Sequence, residues 1–471
     1  MRHSHSSPVA FRTQATIRHL LDEPGLPLAR YLPADRIRQA CHSAGLRFRQ
    51  RLFTPAVTLW MFLIQMLDPD HSCRKAVARL LAYRSALNLR RCSADNGGYC
   101  KARQRLSEPV LRELTRTTGH SLAEQASQAW LWKGRPVKIV DGTGVSMPDT
   151  AENRKAFPLA RRATFPVMRL VVVFSLSVGT VLEAAVGAFR GKGGGETSLL
   201  RSLGDIFQPG DVWVADRLYS TFWVLAQAMN AGADVVMRWH AGRRQPVWRR
   251  GRGHNKGNRR VAWLKPARPS WMRPEEYQAI PDVLYLRALK VEVRRRGFRT
   301  RQLVLVTTLT DAGSYPAADL AELYRRRWQA ELDLRSLKVT LQMDILRGKT
   351  PEIVRKEVWG HLLAYNLVRT VMAEAAEQGH MRPDELSFAG AWQTIHAFSP
   401  YLRIIDNEEQ AWRLWQALLT AVMHHRVGKR PNRIEPRRIK RRRKHFRTLH
   451  GSRAAARQRL RNGTTARGKK R

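Results

Sequence analysis

The chain has 471 residues, 43% of them hydrophobic, which is enough for sizeable buried cores and too long for one small module. Its 84 lysines and arginines outnumber its 38 acidic residues and give a formal net charge of +46. This excess argues against an enzyme of small acidic metabolites. It favours a polyanionic partner, namely DNA, RNA or an anionic membrane surface.

The most apolar stretch, Leu170 to Phe189, does not indicate a membrane span. Glu183 and two glycines interrupt it, and Gly179-Thr180 divides it into two short runs typical of a β-hairpin. The first 14 residues lack the apolar core of a signal peptide. We therefore expect a cytoplasmic, nucleoid-associated protein with no membrane partner.

All four cysteines lie in the first hundred residues, at Cys41, Cys73, Cys92 and Cys100. They include no C-x-x-C pair, so their spacing does not indicate a zinc site. We expect them to be buried and reduced, as is usual for scattered cytosolic thiols.

Residues 1–133 are predicted to form a helical N-terminal domain. Ala56–Leu67 is an apolar run, and Asp68–Ser72 is a turn that ends in a helix-start signal. Cys73–Tyr83 and Tyr99–Gln125 follow with helical apolar spacing and many arginines. The arginines favour a DNA-binding domain, but a basic solvated face on a packing domain explains them equally well.

An α/β pattern begins at residue 134 and continues to 239. Strands and helices are predicted in the order β-β-β-α-β-α-β, at Val137–Val140, Leu170–Val178, Val181–Phe189, Glu196–Phe207, Val212–Ala215, Thr221–Ala231 and Ala233–Trp239. This order predicts a mixed α/β fold and is also the order of an RNase H-like core.

Residues 240–310 interrupt that core as a predicted β-rich basic insertion. The stretch 240–262 holds eight lysines or arginines, four glycines and no acid. Val283–Val293 and Gln302–Leu309 alternate like strands around a turn at Arg294–Arg299. We expect this insertion to handle a DNA end, and a short linker in its place to leave a core that still folds.

The second part of the core is predicted at residues 311–378. One helix is expected from Pro316 to about Leu341, and another after the capping pair Thr350-Pro351 to about Gln378.

A C-terminal helical region follows at 379–425, with a helix at Asn407–His424. The tail, 426–471, has 20 lysines or arginines and one acid, a net +19, and is predicted to be disordered without a partner.

The helix expected from Pro316 to about Leu341 carries a polar face. At about 100° per residue, four side chains fall within roughly 60° of one another: Tyr324, Arg327, Glu331 and Lys338. An apolar stripe lies beside them, made of Leu323, Ala330, Leu334, Leu337 and Leu341. Glu322 and Asp333 fall on the far side, where we expect exposed acids. The alternative is an ordinary surface helix with i,i+4 ion pairs.

Two aspartates follow apolar strands. Asp141 ends the run Val137–Asp141, and Asp216 ends the run Val212–Asp216. Ligands in α/β sheets are commonly bound where strands leave the sheet, so both are candidate ligands. The alternative is a turn role, especially for Asp141, which precedes a glycine.

Two further motifs resemble a catalytic acid and a nucleotide-binding loop, but we assign neither to a site. Asp149 follows Met147-Pro148 and is expected to be a turn residue. Gly191–Gly195 resembles a phosphate-binding loop but lacks the G-x-x-x-x-G-K-[ST] spacing, so we expect no nucleotide requirement.

Taken together, these motifs resemble the DDE transposases of the bacterial insertion-sequence-four family. That family carries the signature Tyr-x2-Arg-x3-Glu-x6-Lys, and every spacing is met by Tyr324, Arg327, Glu331 and Lys338. Val140–Thr143 and Ala215–Arg217 resemble the motifs around the family's two aspartates. The resemblance covers about residues 50–375.

The resemblance implies an RNase H-like catalytic core and a metal-binding triad of Asp141, Asp216 and Glu331. It implies two Mg²⁺ ions, with Mn²⁺ able to substitute; Asp216 would bridge both, and the other two acids would each hold one. Two ions about 3.5–4 Å apart suit in-line displacement at phosphorus, and Mg²⁺ prefers oxygen ligands. Arg327 and Lys338 would contact DNA phosphates, and Tyr324 would contact a phosphate or a base.

The implied function is that of a cut-and-paste DNA transposase. It would bind the inverted repeats at transposon ends as a homodimer, cleave them and join them to target DNA. Two alternatives stay open: an RNase H-like nuclease without strand transfer, and an inactive DNA-binding regulatory copy. Base-stacking candidates in or beside the insertion are Trp239, Trp248, Trp263 and Trp271, although burial in a core is the alternative for each.

Overall fold

The computed structural model of the chain describes residues 28, 31–46, 52–159, 163–191, 193–240, 242–243, 257–292, 302–402, 405, 407–428 and 452–462. Its strands are β1 Val137–Ser146, β2 Val167–Ser175, β3 Val181–Ala188, β4 Val212–Ala215, β5 Asp234–Arg238, β6 Asn258–Leu264, β7 Val283–Glu292 and β8 Gln302–Thr307. Its helices are α1 Ala34–Ser43, α2 Pro55–Leu67, α3 Cys73–Ala86, α4 Gly97–Arg105, α5 Glu108–Glu124, α6 Ala151–Ala156, α7 Glu196–Arg201, α8 Phe222–Asn230, α9 Pro274–Gln278, α10 Ala317–Arg325, α11 Trp328–Arg335, α12 Pro351–Gln378, α13 Phe388–Leu402, α14 Glu408–His424 and α15 Arg453–Arg461.

The eight strands form one mixed sheet in the order β3-β2-β1-β4-β5-β8-β7-β6. β1, β4 and β5 run parallel, and the other neighbouring pairs are antiparallel. The parallel strands read as continuous apolar runs because both of their faces are covered. The predicted mixed α/β class is therefore confirmed.

The register between β1 and β4 places the two candidate aspartates side by side. The last paired residues are Ile139 and Val214, and Asp141 and Asp216 each lie two residues further along. β1 does not end there, however, because it continues beside β2 to Ser146. The expectation that Asp141 ends its strand is wrong; it lies where β1 runs past the end of β4.

The helices of the N-terminal region share the main hydrophobic cluster of the molecule. Leu63 of α2 and Leu111 of α5 belong to the same cluster as Val172 of β2 and Leu363 of α12. A smaller cluster around Val77 and Tyr99 holds α3 and α4 together. α12 is the centre of this arrangement, since most of its residues are buried.

Strands from the predicted insertion extend the core sheet. β8 pairs with β5, and β7 and β6 follow outward from it. Leu305 of β8 and Leu289 of β7 enter the main hydrophobic cluster. Replacing residues 240–310 with a short linker would strip β5 of a neighbouring strand, so the expectation of a core that still folds does not fit this arrangement. Much of the basic stretch, the predicted turn at Arg294–Arg299 and Trp248 lie outside the described residues.

Local start signals act as the sequence predicts at several helices. The side chains of Ser72, Thr221, Thr350 and Asn407 each accept a backbone N–H in the first turn of a helix. By contrast, α7 ends at Arg201, so the helix expected to continue to Phe207 is much shorter. The sequence reasoning also did not identify α13 or β6.

The predicted disordered tail contains one described helix, α15, which its alanines and arginines favour. Residues 429–451 and 463–471 of that tail lie outside the described part of the chain, as do the first 27 residues. No helix in the described ranges combines the length and the apolarity that a bilayer crossing requires.

Asn366 of α12 completes the backbone bonding of the edge strand β3. Its Oδ1 accepts the N–H of Val181 at 2.7 Å, and its Nδ2 donates to the carbonyls of Val181 and Thr115 at 2.8 and 3.0 Å. The amide is fully buried. It therefore ties the sheet, α5 and α12 together.

We predict that Asn366→Ala lowers the free energy of unfolding by about 3 kcal/mol, because three buried backbone groups lose a partner. Urea denaturation measures the loss. Asn230→Ala, at an exposed site at the end of α8, is the matched control and should change stability by about 0.5 kcal/mol or less. Equal effects in the two variants would contradict the bridging role.

Candidate active site

Five of the six candidate site residues line one open pocket of about 540 Å³. Its walls come from β1, the residue after β4, α11 and the following turn: Asp141, Gly142, Thr143, Asp216, Arg327, Glu331, Leu334, Arg335, Lys338 and Val339. The sequence reasoning did not identify Arg335, although it lies one helical turn after Glu331. Tyr324, the sixth candidate, does not line the pocket.

Each aspartate is held by backbone close to it. The carboxylate of Asp141 accepts the N–H of Gly142 at 2.8 Å, and that of Asp216 accepts the N–H of Leu218 at 2.7 Å. Burial raises the pKa of Asp141 to about 6, and the nearby charges of Glu331 and Asp216 add to the rise, against the opposing effects of the Gly142 N–H and Arg327. The negative charges of Glu331 and Asp216 thus disfavour the ionised form of Asp141.

Arg327 balances part of this negative charge. Its guanidinium lies 2.6 Å from an oxygen of Glu331 and 3.5 Å from an oxygen of Asp141. The predicted i,i+4 pair within the helix is therefore present, and it extends to the first aspartate. Burial raises the pKa of Tyr324, and the nearby charge of Arg327 opposes that rise.

Lys338 lines the same pocket and is anchored to β1. Its Nζ donates to the carbonyl of Gly144 at 3.0 Å and to Oγ1 of Thr143 at 3.3 Å. Both partners lie on β1, just after Asp141. The ammonium is therefore held at the rim by the strand that carries the first aspartate.

The segment predicted as one helix from Pro316 to about Leu341 has an irregular backbone. The predicted single helix is divided into α10, α11 and a π-helical turn over Ser336–Thr340. Tight i to i−3 hydrogen bonds at Arg326 and Arg327 mark the first break. At this break the two neighbouring arginines point to different partners. Arg326 pairs with Asp384, whereas Arg327 pairs with Glu331 in the pocket. The apolar stripe is buried as predicted.

Asp333 does not behave as the exposed acid that the helical angle suggests. Its side chain is 1% exposed and forms an ion pair with the buried guanidinium of Arg369 on α12. Gln329 donates to the same carboxylate oxygen at 3.0 Å. The far side of α11 faces another helix and not solvent, so the prediction is wrong. Glu322 is exposed as expected and pairs with Arg325.

The chemistry of the donor set fits a hard divalent cation. Within the described ranges, no three histidine, cysteine or acidic side chains are close enough to form one metal-binding group. Mg²⁺ needs no such group, because it is commonly held by one or two carboxylates completed by phosphate and water. Asp141, Asp216 and Glu331 supply only oxygen ligands around one pocket.

The other candidates lie apart from this pocket. Trp239 and Trp263 are buried against each other, whereas Trp271 is 43% exposed and has Arg201 over its ring. Asp149 precedes α6 and pairs with Arg154, as suits a turn residue.

The chain is similar in sequence to known transposases. A sequence model described as "Transposase DDE domain" matches residues 132–367, just over half of the chain. Transposase InsG for insertion sequence element IS4, from Escherichia coli strain K12, is 29% identical over 385 residues, 78% of this chain and 81% of that protein. The transposase for IS421 from Escherichia coli is 38% identical over 69 residues, 15% of this chain and 19% of that protein. A cryo-EM structure of the piggyBac transposase synaptic complex with hairpin DNA covers 89% of this chain and 86% of its own, with a TM-score of 0.40 and 9% identity.

We predict that Asp333→Asn lowers the free energy of unfolding by about 3–5 kcal/mol, because the charge of Arg369 stays buried without its partner. Urea denaturation checks the value, with the exposed Glu322→Gln as control, which should change stability by about 0.5 kcal/mol or less. The double variant Asp333→Leu, Arg369→Met should be more stable than either single variant. A loss no larger than that of the control would show that the pair is not needed.

Proposed function

Since the chain belongs to the insertion-sequence-four family of DDE transposases, enzymes of DNA cleavage and strand transfer, we propose that it moves its element by a cut-and-paste route. Asp141, Asp216 and Glu331 are the proposed catalytic triad. The observation that carries this proposal is that the three carboxylates, which come from β1, the residue after β4 and α11, line one pocket with Arg327 and Lys338.

The proposed cofactor is a pair of Mg²⁺ ions, for which Mn²⁺ can substitute. When bound, they would activate the attacking oxygen and stabilise the leaving oxygen at phosphorus. The residues of the chain supply the ligands and their geometry. Asp141, Asp216 and Glu331 would hold the ions, because all three line the same pocket and offer oxygen ligands.

Arg327 and Lys338 are the proposed phosphate contacts. The guanidinium of Arg327 has the planar shape that suits bidentate contact with a phosphate. In the structure, which contains no DNA, it forms ion pairs with Glu331 and Asp141 instead. Lys338 is a point charge that β1 holds at the pocket rim. Tyr324 would contact a DNA phosphate or a base.

The strand order supports an RNase H-like core for this chemistry. The first five strands lie in the order 3-2-1-4-5, with β2 antiparallel to β1 and with β4 and β5 parallel to it. We retain residues 134–239 and 311–378 as the two parts of that core, 379–425 as a helical region and 240–310 as an insertion that completes its sheet.

DNA is the proposed partner, and the N-terminal region 1–133 is proposed to help bind it. Residues 73–105, which include α3 and α4, carry nine lysines or arginines and one acid. This charge suits phosphate contacts with a transposon end. Two ends must be held together for transposition, so we propose a homodimer on DNA at the bacterial nucleoid.

We predict that Asp141→Asn, Asp216→Asn and Glu331→Gln each bind transposon-end DNA and fail to cut it. Each substitution removes a ligand and a charge that balances the cation, so cleavage should fall by orders of magnitude. End cleavage in Mg²⁺, with DNA binding measured alongside, tests this expectation.

Glu322→Gln is the control and should both bind and cut. Strand transfer of a pre-cut end into plasmid DNA should occur with the unchanged protein. Cleavage without transfer would favour a nuclease, and binding without metal-dependent nicking would favour an inactive regulatory copy. Normal cutting by Glu331→Gln would refute the third member of the triad.

We predict that the basic tail supplies mostly sequence-independent DNA affinity. Removing residues 426–471 should flatten the slope of log K against log salt, because fewer counterions are released on binding. Fluorescence anisotropy across a range of salt concentrations measures the slope, with DNA of unrelated sequence as the comparison. An unchanged slope would show that the tail does not contact phosphates.

A further inference from the structure

Three glycines, Gly142, Gly187 and Gly194, allow close contact between the sheet and the segment that forms α7 or leads into it. A Cβ on Gly194 would lie 2.2 Å from the carbonyl oxygen of Ala188, and one on Gly187 would lie 2.8 Å from the side chain of Leu199. The carbonyl of Gly194 also accepts a hydrogen bond from Arg169 at 2.9 Å. Gly194 therefore allows this loop to pack closely against the end of β3.

The third glycine, Gly142, lies directly under the carboxyl group of Glu196, the first residue of α7. A Cβ on Gly142 would lie 2.3 Å from Cδ of Glu196 and 2.5 and 2.8 Å from its two oxygens. Any side chain at this position would displace that carboxylate. Gly142 follows Asp141 and donates its N–H to it, so Glu196 supports the backbone that positions the first aspartate.

Glu196 also reaches the segment that carries the second aspartate. The hydroxyl of Tyr219 donates to Oε2 of Glu196 at 3.2 Å, and Tyr219 is fully buried. The N–H of Tyr219 in turn donates to the carbonyl of Asp216 at 3.3 Å. Burial raises the pKa of Tyr219, and the charges of Glu196, Asp141 and Asp216 add to the rise, so the phenol stays a donor.

No pairing between β1 and β4 reaches the two aspartates, since the last paired residues are Ile139 and Val214. Consecutive strand positions face opposite sides of a sheet, so Glu196 meets Gly142 on the face away from Asp141. We propose that Glu196 is a positioning residue that sets the separation of Asp141 and Asp216 from behind the pocket, through Gly142 and the hydroxyl of Tyr219. This inference rests on the proposed function, because it takes the two aspartates as joint ligands of one cation.

The test is Mn²⁺ binding to the DNA-free protein, measured by the electron paramagnetic resonance signal of free Mn²⁺. Glu196→Ala and Tyr219→Phe should each weaken Mn²⁺ affinity by about tenfold or more, the size of effect seen when groups that orient metal ligands are removed. Glu196→Gln keeps the shape of the side chain and an oxygen that accepts the Tyr219 hydroxyl. The Mn²⁺ affinity of Glu196→Gln should therefore stay within about threefold of that of the unchanged protein, a smaller loss than in the other two variants.

Glu152→Ala is the matched control, because Glu152 also lies in the first turn of a six-residue helix and is exposed. Its affinity for Mn²⁺ should not change. Unchanged affinity in both Glu196→Ala and Tyr219→Phe would overturn the inference. So would a loss in Glu196→Gln as large as in Glu196→Ala, since charge and not position would then be the cause.

The same Mn²⁺-binding experiment distinguishes a failure of the proposed function from a failure of the inference about Glu196. If the unchanged protein binds no Mn²⁺, or if Asp141→Asn and Asp216→Asn bind it normally, the triad itself is wrong. A Glu196→Ala variant that loses its fold would be detected by circular dichroism. In that case Tyr219→Phe, which removes a single oxygen, decides the inference by the same affinity criterion.

Discussion

The buried guanidinium of Arg369 is the contact on which the active-site geometry depends. It pairs with Asp333 on the helix of Glu331 and donates to the hydroxyl of Tyr365 at 2.8 Å, which in turn donates to the carbonyl of Gly179 at 3.0 Å. Burial opposes the charge of Arg369, but Tyr365 and Asp333 outweigh it and raise its pKa above the ordinary value. One side chain thus joins α11, α12 and the turn between β2 and β3.

This anchor matters because α11 has little regular structure on either side to hold it in place. A tight turn precedes it and a π-helical turn follows it, so neighbouring helical turns do not fix its rotation. Arg369 holds one side of the helix through Asp333, and Arg327 contacts Glu331 and Asp141 on the other. The direction of Glu331 is therefore set by two polar contacts and an apolar stripe.

Much of the local structure follows from short patterns in the sequence. The Thr350-Pro351 pair predicts the start of α12, and the divided apolar run around Gly179 predicts the hairpin of β2 and β3, because both depend on a few adjacent residues. The polar face of the Glu331 helix also follows from spacing alone, and the pocket contains three of its four predicted members. The exposed position expected for Asp333 is wrong, because an angle on a helix does not tell which neighbouring element covers that side.

The sequence by itself determined the family, the class of fold and five residues that line the pocket, because periodicity and motif spacing are properties of adjacent residues. The tertiary structure alone decided that Asp141 lies within a strand, that the strands after β5 belong to the same sheet, and that Glu196 packs on Gly142. These features depend on contacts between segments far apart in the chain. A carboxylate at a given position looks the same in the sequence whether solvent, an arginine or a glycine backbone lies beside it.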